Sequence, residues 1–209
     1  MNIKAIETIY NGYKFRSRLE ARWATFFNAL GIEYWYEKEG FSLGGVPYLP
    51  DFYLPRLSYW IEVKPDVPMD DEREKAIRLC IDSAMTTIIL AGDAWTTVKC
   101  FNFCSTIQTR EEITAKYEKY EDSTVSWITT TECIINDRDT HRLMGYNLVS
   151  GYVWSESVWY ECGKCGHVSI LGIGLSCCAC DPPDFQMDTP RLQEAFTKAR
   201  QARFERGGA

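Results

Sequence analysis

The chain is predicted to fold as α/β: a helix, a three-stranded sheet, a second helix and a further strand, then a small cysteine-rich module and a C-terminal helix. Three observations carry this reading. Leu19, Trp23, Phe26, Phe27 and Leu30 recur at helical spacing. Short β-branched and aromatic runs, Tyr59–Lys64 above all, stand between turn signals. Two Cys-x-x-Cys pairs, Cys162/Cys165 and Cys177/Cys180, lie close together near the end.

The first helix is expected over 17–30, with Gly31 ending it in a left-handed conformation. Residues 32–36 and 41–43 read as short strands, Gly44-Gly45 as a turn, and 48–54 as the next strand. A turn at 55–58 precedes the strand Tyr59–Lys64. Pro65 and Pro68 then interrupt the chain, and the charged stretch 70–75 leads into a helix running toward Met85. The β-branched run 86–90 closes this unit at Ala91-Gly92-Asp93. Beyond it the pattern weakens: 111–120 reads as a charged helix, 125–135 as a strand, and 145–160 as an aromatic-rich stretch without firm period. A closing helix is expected over 190–206, with Pro190 in its first turn. The expected organisation is a core over 1–100, an extension over 101–160, the cysteine module over 161–182 and the terminal helix over 183–209.

At 209 residues, with 45% hydrophobic and 25% charged content, the chain is long enough to bury a core. It lacks both a signal-peptide pattern and an apolar run long enough to span a bilayer, so the expected location is cytoplasmic. Nine cysteines in a reducing compartment point to metal binding plus buried thiols, not a disulfide framework. The formal net charge of -6 argues against non-specific coating of nucleic acid. It does not exclude a carboxylate site whose bound cation reverses the local sign.

The residues that carry chemistry are Asp51, Glu62 and Lys64, with Glu20 upstream. In a strand, Glu62 and Lys64 share one face while Ile61 and Val63 share the other. The turn at 55–58 folds Asp51 back toward Glu62. Asp51 and Glu62, with the Val63 carbonyl, form an oxygen ligand set for Mg2+ or Mn2+. A cation there would activate a bound water, which Lys64 could orient or help deprotonate. Glu20 has two readings. Ser17-x-x-Glu20 fits a helix capping box, and Glu20 also borders the buried helix face near the cleft. Arg16, Arg18 and Arg22 flank it as candidate phosphate contacts.

On these residues, 14–92 resembles the PD-(D/E)XK nuclease superfamily. Glu20 matches the acidic residue of the first helix, Asp51 the motif aspartate, and Glu62 and Lys64 the E-x-K motif. The stretch 16–64 is also similar to small nuclease-like proteins of phages and bacteria. The resemblance implies a restriction-endonuclease-like core and Mg2+-dependent phosphodiester hydrolysis, usually of DNA. Pro65 stands where the family commonly has glycine, which alters the strand exit and not the catalytic groups.

Cys162, Cys165, Cys177 and Cys180 have the spacing of a closed, four-thiolate structural Zn2+ site. Cys178 in place of Cys177, and His167 in place of a cysteine, are left open as ligands. Cys80, Cys100, Cys104 and Cys133 read as ordinary thiols and His141 as a loop residue. Lys198, Arg200, Arg203 and Arg206 read as a solvated helix face first and a nucleic-acid track second. The competing reading is an interaction protein on a nuclease-like fold, for example a phage factor that inhibits a host defence complex. A homodimer and a protein partner at the zinc module both remain open.

Overall fold

The computed structural model describes residues 5–83, 85–94, 99–103, 124–129, 132–137, 142–147, 152–154, 158–171, 180 and 184–206. It is a mixed α/β structure with several sheets and three described helices. In chain order these elements are β1 (Thr8–Tyr10), β2 (Tyr13–Phe15), α1 (Arg18–Leu30), β3 (Trp35–Tyr36), β4 (Phe41–Leu43), β5 (Val46–Tyr48), β6 (Phe52–Leu54), β7 (Tyr59–Lys64), α2 (Asp70–Ser83) and β8 (Thr86–Ala91). They continue as β9 (Lys99–Phe103), β10 (Thr124–Thr129), β11 (Glu132–Asp137), β12 (Arg142–Asn147), β13 (Tyr152–Trp154), β14 (Val158–Cys162), β15 (Val168–Leu171), β16 (Phe185–Gln186), α3 (Pro190–Gln201) and β17 (Glu205–Arg206). Among the described residues no helix is long and apolar enough to cross a membrane.

The main sheet has six strands in the order β13-β9-β8-β7-β6-β3. β7 and β8 are parallel, as a strand–helix–strand crossover through α2 requires, and the other neighbours are antiparallel. Strand alternation divides β7 between two apolar clusters. Tyr59, Ile61 and Val63 pack with α1, while Trp60 packs with Leu43, Tyr53 and Leu79 beside α2 and the β4–β5 hairpin. Glu62 and Lys64 therefore share the Trp60 face, as the period of two demands.

Helix α1 is fixed at both ends. Ser17 caps it, its hydroxyl accepting from the Glu20 amide at 3.2 Å. At the other end Gly31 sits at φ 68°, its amide on the Asn28 carbonyl while Ile32 donates to Phe27, the Schellman pattern that only a left-handed residue permits. Phe26 and Phe27 point into the core, where Phe26 stacks on Phe196 of α3 and meets Trp159 of β14 edge to face. The core of the first hundred residues thus also contains residues from the last fifty. α3 buries Leu192, Ala195, Phe196 and Ala199 against it.

Several sequence expectations change. The strand expected over 48–54 is broken at Pro50: β5 ends at Tyr48 and β6 begins at Phe52, because proline cannot donate to a ladder. The strand expected over 32–36 is reduced to Trp35–Tyr36. The single strand expected over 125–135 is instead the antiparallel pair β10–β11. The terminal helix stops at Gln201 rather than 206, and Glu205–Arg206 pairs with β1. The three-stranded sheet is six-stranded, gaining β8 directly and β9 and β13 beyond it. The β1–β2 hairpin, turned by Asn11 and Gly12 at φ 48° and 82°, had no assignment. The helix expected at 111–120, together with Cys104 and His141, lies outside the described residues.

Truncating Phe26 to Ala should cost about 3–5 kcal/mol, the usual penalty for deleting a buried aromatic. Chemical denaturation measures this, and a loss under about 1 kcal/mol would mean that the α1–α3 core is not a shared unit.

Candidate functional site: a buried carboxylate cluster and a cysteine knuckle

The β6–β7 register sets Phe52 opposite Ile61, which brings Asp51 opposite Glu62. Asp51 is 3% exposed, and its Oδ2 accepts from the Val63 amide at 2.7 Å. Its other oxygen, Oδ1, accepts from Arg16 Nη2 at 2.6 Å. The N–H and C=O of an extended residue project to the same side, so the Val63 carbonyl also faces the Asp51 edge.

Glu62 is buried, with Oε1 2.8 Å from Lys64 Nζ and Oε2 accepting from the Tyr48 hydroxyl at 2.8 Å. Lys64 also pairs with Glu72 of α2 at 3.3 Å. Burial pulls the Lys64 ammonium down, but Glu62 and then Glu72 outweigh it and hold its pKa above the ordinary value. Lys64 is therefore a charged donor here, suited to orienting a water or stabilising developing negative charge. Burial, and then the negative charge of Glu62, raise the Tyr48 phenol far above its usual range.

Glu20 takes part in the helix cap and also lies close to the carboxylates. Oε1 accepts from the Ser17 hydroxyl at 2.6 Å, completing the cap. Oε2 accepts from the Arg16 amide at 3.1 Å and from the Tyr36 hydroxyl at 2.7 Å. It is 7% exposed, and its charge reaches Asp51. Burial first, then Glu62 and Glu20, push the Asp51 carboxyl well above the usual carboxylate range, against the downward pull of the Val63 amide and Arg16. The three carboxylates named from the sequence thus share one electrostatic environment.

The flanking arginines separate. Arg16 joins the cluster, bridging Asp51 and Glu37, the latter at 2.8 Å from its Nε. Arg22 pairs with Asp93 at 2.5 Å, beside Trp23 Nε1 bonded to the Gly92 carbonyl, and so fastens α1 to the end of β8. Arg18 is exposed. In α3, Lys198 pairs with Glu194 at 2.7 Å and Arg200 donates to the Ala94 carbonyl at 3.3 Å, so both have partners within the fold. Sequence reading missed Tyr36, Tyr48, Glu37 and Glu72. Tyr48 meets Glu62 across fourteen residues and Tyr36 meets Glu20 across sixteen, and no local spacing announces such contacts.

Cys162, Cys165 and Cys180 bring their sulfurs within 4.8 Å of one another, a cluster able to hold a metal ion such as zinc. Cys177 and Cys178 lie outside the described residues. The turn is built for this: Gly166 at φ 69° donates to the Cys162 carbonyl at 2.7 Å, and Cys162 donates to the His167 carbonyl at 2.8 Å. A Cβ at Gly163 would meet the side-chain ends of Asp184 and Gln186, which would have to shift. The amide of Asp184, aided by those of Lys164 and Cys165, pulls the Cys162 thiol down to about 6 against burial. Hydrogen bonding to Cys165, then burial and Cys162, push Cys180 up to about 12. A divalent cation bound by these crowded sulfurs would replace their protons. His167 is not in the cluster, and its buried Nε2 has no hydrogen-bond partner among the described residues. Cys80 is buried and forms no disulfide.

The knuckle is bolted to the core by Arg191. Its Nη1 reaches Glu161 at 2.9 Å and the Gly166 carbonyl at 3.0 Å, and its Nη2 reaches the Leu30 carbonyl at the end of α1.

No family model, curated protein or solved structure matches the chain.

The raised Asp51 pKa sets a sign for stability against pH. A carboxyl whose folded-state pKa exceeds the unfolded value contributes fully below the unfolded pKa, and that contribution is lost as pH rises through the folded value. In the presence of chelator, Asp51→Asn should therefore melt at or above the wild-type temperature at neutral pH. The gap should close as pH falls toward about 4, the unfolded aspartate value. The lost Arg16 pair is half-exposed at the arginine and offsets this by no more than about 1 kcal/mol. Thermal melts across that range decide the matter; a variant much weaker than wild type at neutral pH would contradict the charge-strain account.

Proposed function

We propose that the protein is a Mg2+-dependent nuclease of the PD-(D/E)XK type, with DNA as its substrate. The observation that carries this reading is the convergence of Asp51, Glu62 and Glu20, with Lys64 on Glu62, at the end of the interior strand β7. Glu20, Glu37, Asp51, Glu62 and Glu72 outnumber Arg16 and Lys64 there, and such an excess of carboxylates, with Glu20, Asp51 and Glu62 buried, favours a divalent cation. The donor set suits a hard cation, which takes one or two carboxylates and keeps its waters for substrate oxygens. Asp51 and Glu62, with the Val63 carbonyl, would hold the ion, and Glu20 would complete the negative field from α1. The ion would polarise the phosphodiester and acidify the attacking water. Lys64 would orient that water and stabilise the pentavalent transition state. The order of these residues along the helix–sheet–helix–strand core agrees with a restriction-endonuclease-like arrangement.

For the cysteine knuckle the same reading assigns a structural Zn2+, held by Cys162, Cys165 and Cys180 with Cys177 as the fourth ligand. Four thiolates leave no open position, so this metal supports the fold.

Incubated with Mg2+ or Mn2+, the protein should cut at least one member of a panel of single-stranded, duplex and branched DNA and RNA. Asp51→Ala and Lys64→Ala should each lower the rate by about 100-fold or more, with folding unchanged by circular dichroism. No cleavage of any substrate with either metal would remove the enzyme reading. It would leave a binding protein whose effect survives Asp51→Ala.

Purified protein should carry one zinc per chain by elemental mass spectrometry. Cys165→Ser should lose it and lower the melting temperature, since Arg191 couples the knuckle to α1. Retention of full zinc by that variant would contradict the assignment.

A further inference from the structure

We propose that Arg16 is a resident counter-cation at the metal position, which the divalent ion must displace and which is then free to take a substrate phosphate. This rests on the metal-dependent reading above and concerns how that site is loaded. Asp51 has two oxygens with different fates. Oδ2 is committed to the Val63 amide and cannot be surrendered without leaving a buried donor unpaired. Oδ1 is the oxygen left for a cation, and Arg16 Nη2 occupies it at 2.6 Å.

Arg16 is built to leave. Its backbone is pinned, because its amide donates to Glu20 Oε2 at 3.1 Å and to the Tyr36 hydroxyl at 3.0 Å. Its side chain is not, since it is 52% exposed against 4% for its partner Asp51. Glu37, only 28% exposed, holds Nε at 2.8 Å and would retain the guanidinium at the rim once Asp51 is taken. Lys64 also lies between two carboxylates, Glu62 and Glu72, but its side chain is only 23% exposed. The exchangeable cation of the cluster is therefore Arg16.

A divalent ion and a guanidinium on the same oxygen repel, so the apparent metal affinity is reduced by the fraction of molecules in which Arg16 holds Oδ1. A guanidinium released at the rim presents planar paired donors that match phosphate oxygens. Metal loading and phosphate capture are thereby linked through one side chain, and the phosphate contact becomes available only after Asp51 has received its ion.

The test is a Mn2+ titration followed by the electron paramagnetic resonance signal of the free ion, on full-length, zinc-loaded protein. Wild type is compared with Arg16→Ala, Arg16→Gln, Arg22→Ala and Asp51→Asn. Wild type should show a site that Asp51→Asn abolishes. Both Arg16 variants should bind Mn2+ roughly tenfold more tightly, the relief expected when a competing occupant is removed. Their cleavage rate at saturating Mn2+ should nevertheless fall. Arg22→Ala removes an equal charge from nearby α1, where Arg22 pairs with Asp93 and not with Asp51, and should titrate like wild type. Unchanged or weaker binding in the Arg16 variants, an equal gain in Arg22→Ala, or undiminished cleavage would overturn the proposal while leaving the metal site intact. A wild-type protein with no Asp51-dependent Mn2+ binding would overturn both.

Discussion

The hydrogen bond from the Val63 amide to Asp51 Oδ2 is the interaction on which the site depends. Pro50 ends the strand before Asp51, and the Asp51 carbonyl is already engaged by the Glu37 amide on the other side. The β6–β7 pairing stops at Phe52–Ile61, and Val63 lies beyond it. A buried amide without an acceptor is costly, and the Asp51 side chain supplies one. The same bond that completes the ladder holds a carboxylate 3% exposed beside Glu62. Arg16, Glu20 and Tyr48 then arrange themselves around a charge whose position the backbone has set.

Helix α1 connects this cluster to the rest of the molecule. Its first turn delivers Glu20, fixed by Ser17, Tyr36 and the Arg16 amide. Its middle supplies Trp23, Phe26 and Phe27 to the core, and its last carbonyls are tied to Arg191 and thus to the cysteine knuckle. The knuckle is thus tied to a helix whose opposite end borders the carboxylates. The C-terminal helix enters the same argument, because Phe196 is the face on which Phe26 rests.

The charge arrangement runs against stability. Buried carboxylates that repel one another are disfavoured unless cations or hydrogen bonds compensate, and the compensation around Asp51 is incomplete. Strain of this kind clusters where a fold is arranged for chemistry or ligand binding. The knuckle resolves its own charge differently. The amide of Asp184, and then those of Lys164 and Cys165 in the turn, are aimed at Cys162, so the stabilisation comes chiefly from the main chain.

Much was legible locally. Helical spacing located α1 and its glycine stop, and alternation in Tyr59–Lys64 put Glu62 and Lys64 on one face. Cysteine spacing marked the knuckle. These are short-range matters, set by the periods of helix and strand and by the few residues able to adopt special backbone angles. Pro50 was visible too, yet its consequence was not. A broken strand leaves an amide whose acceptor is decided by how two strands lie together. Only tertiary structure made the C-terminal helix part of the core, because packing partners are chosen by shape across the whole chain. Only tertiary structure put Tyr48 on Glu62, Tyr36 on Glu20 and Arg16 on Asp51, since a hydrogen bond between distant residues leaves no periodic trace. The sequence by itself determined which residues carry charge and which face they take. The meeting of those faces, and with it the electrostatics of the site, was decided by the fold.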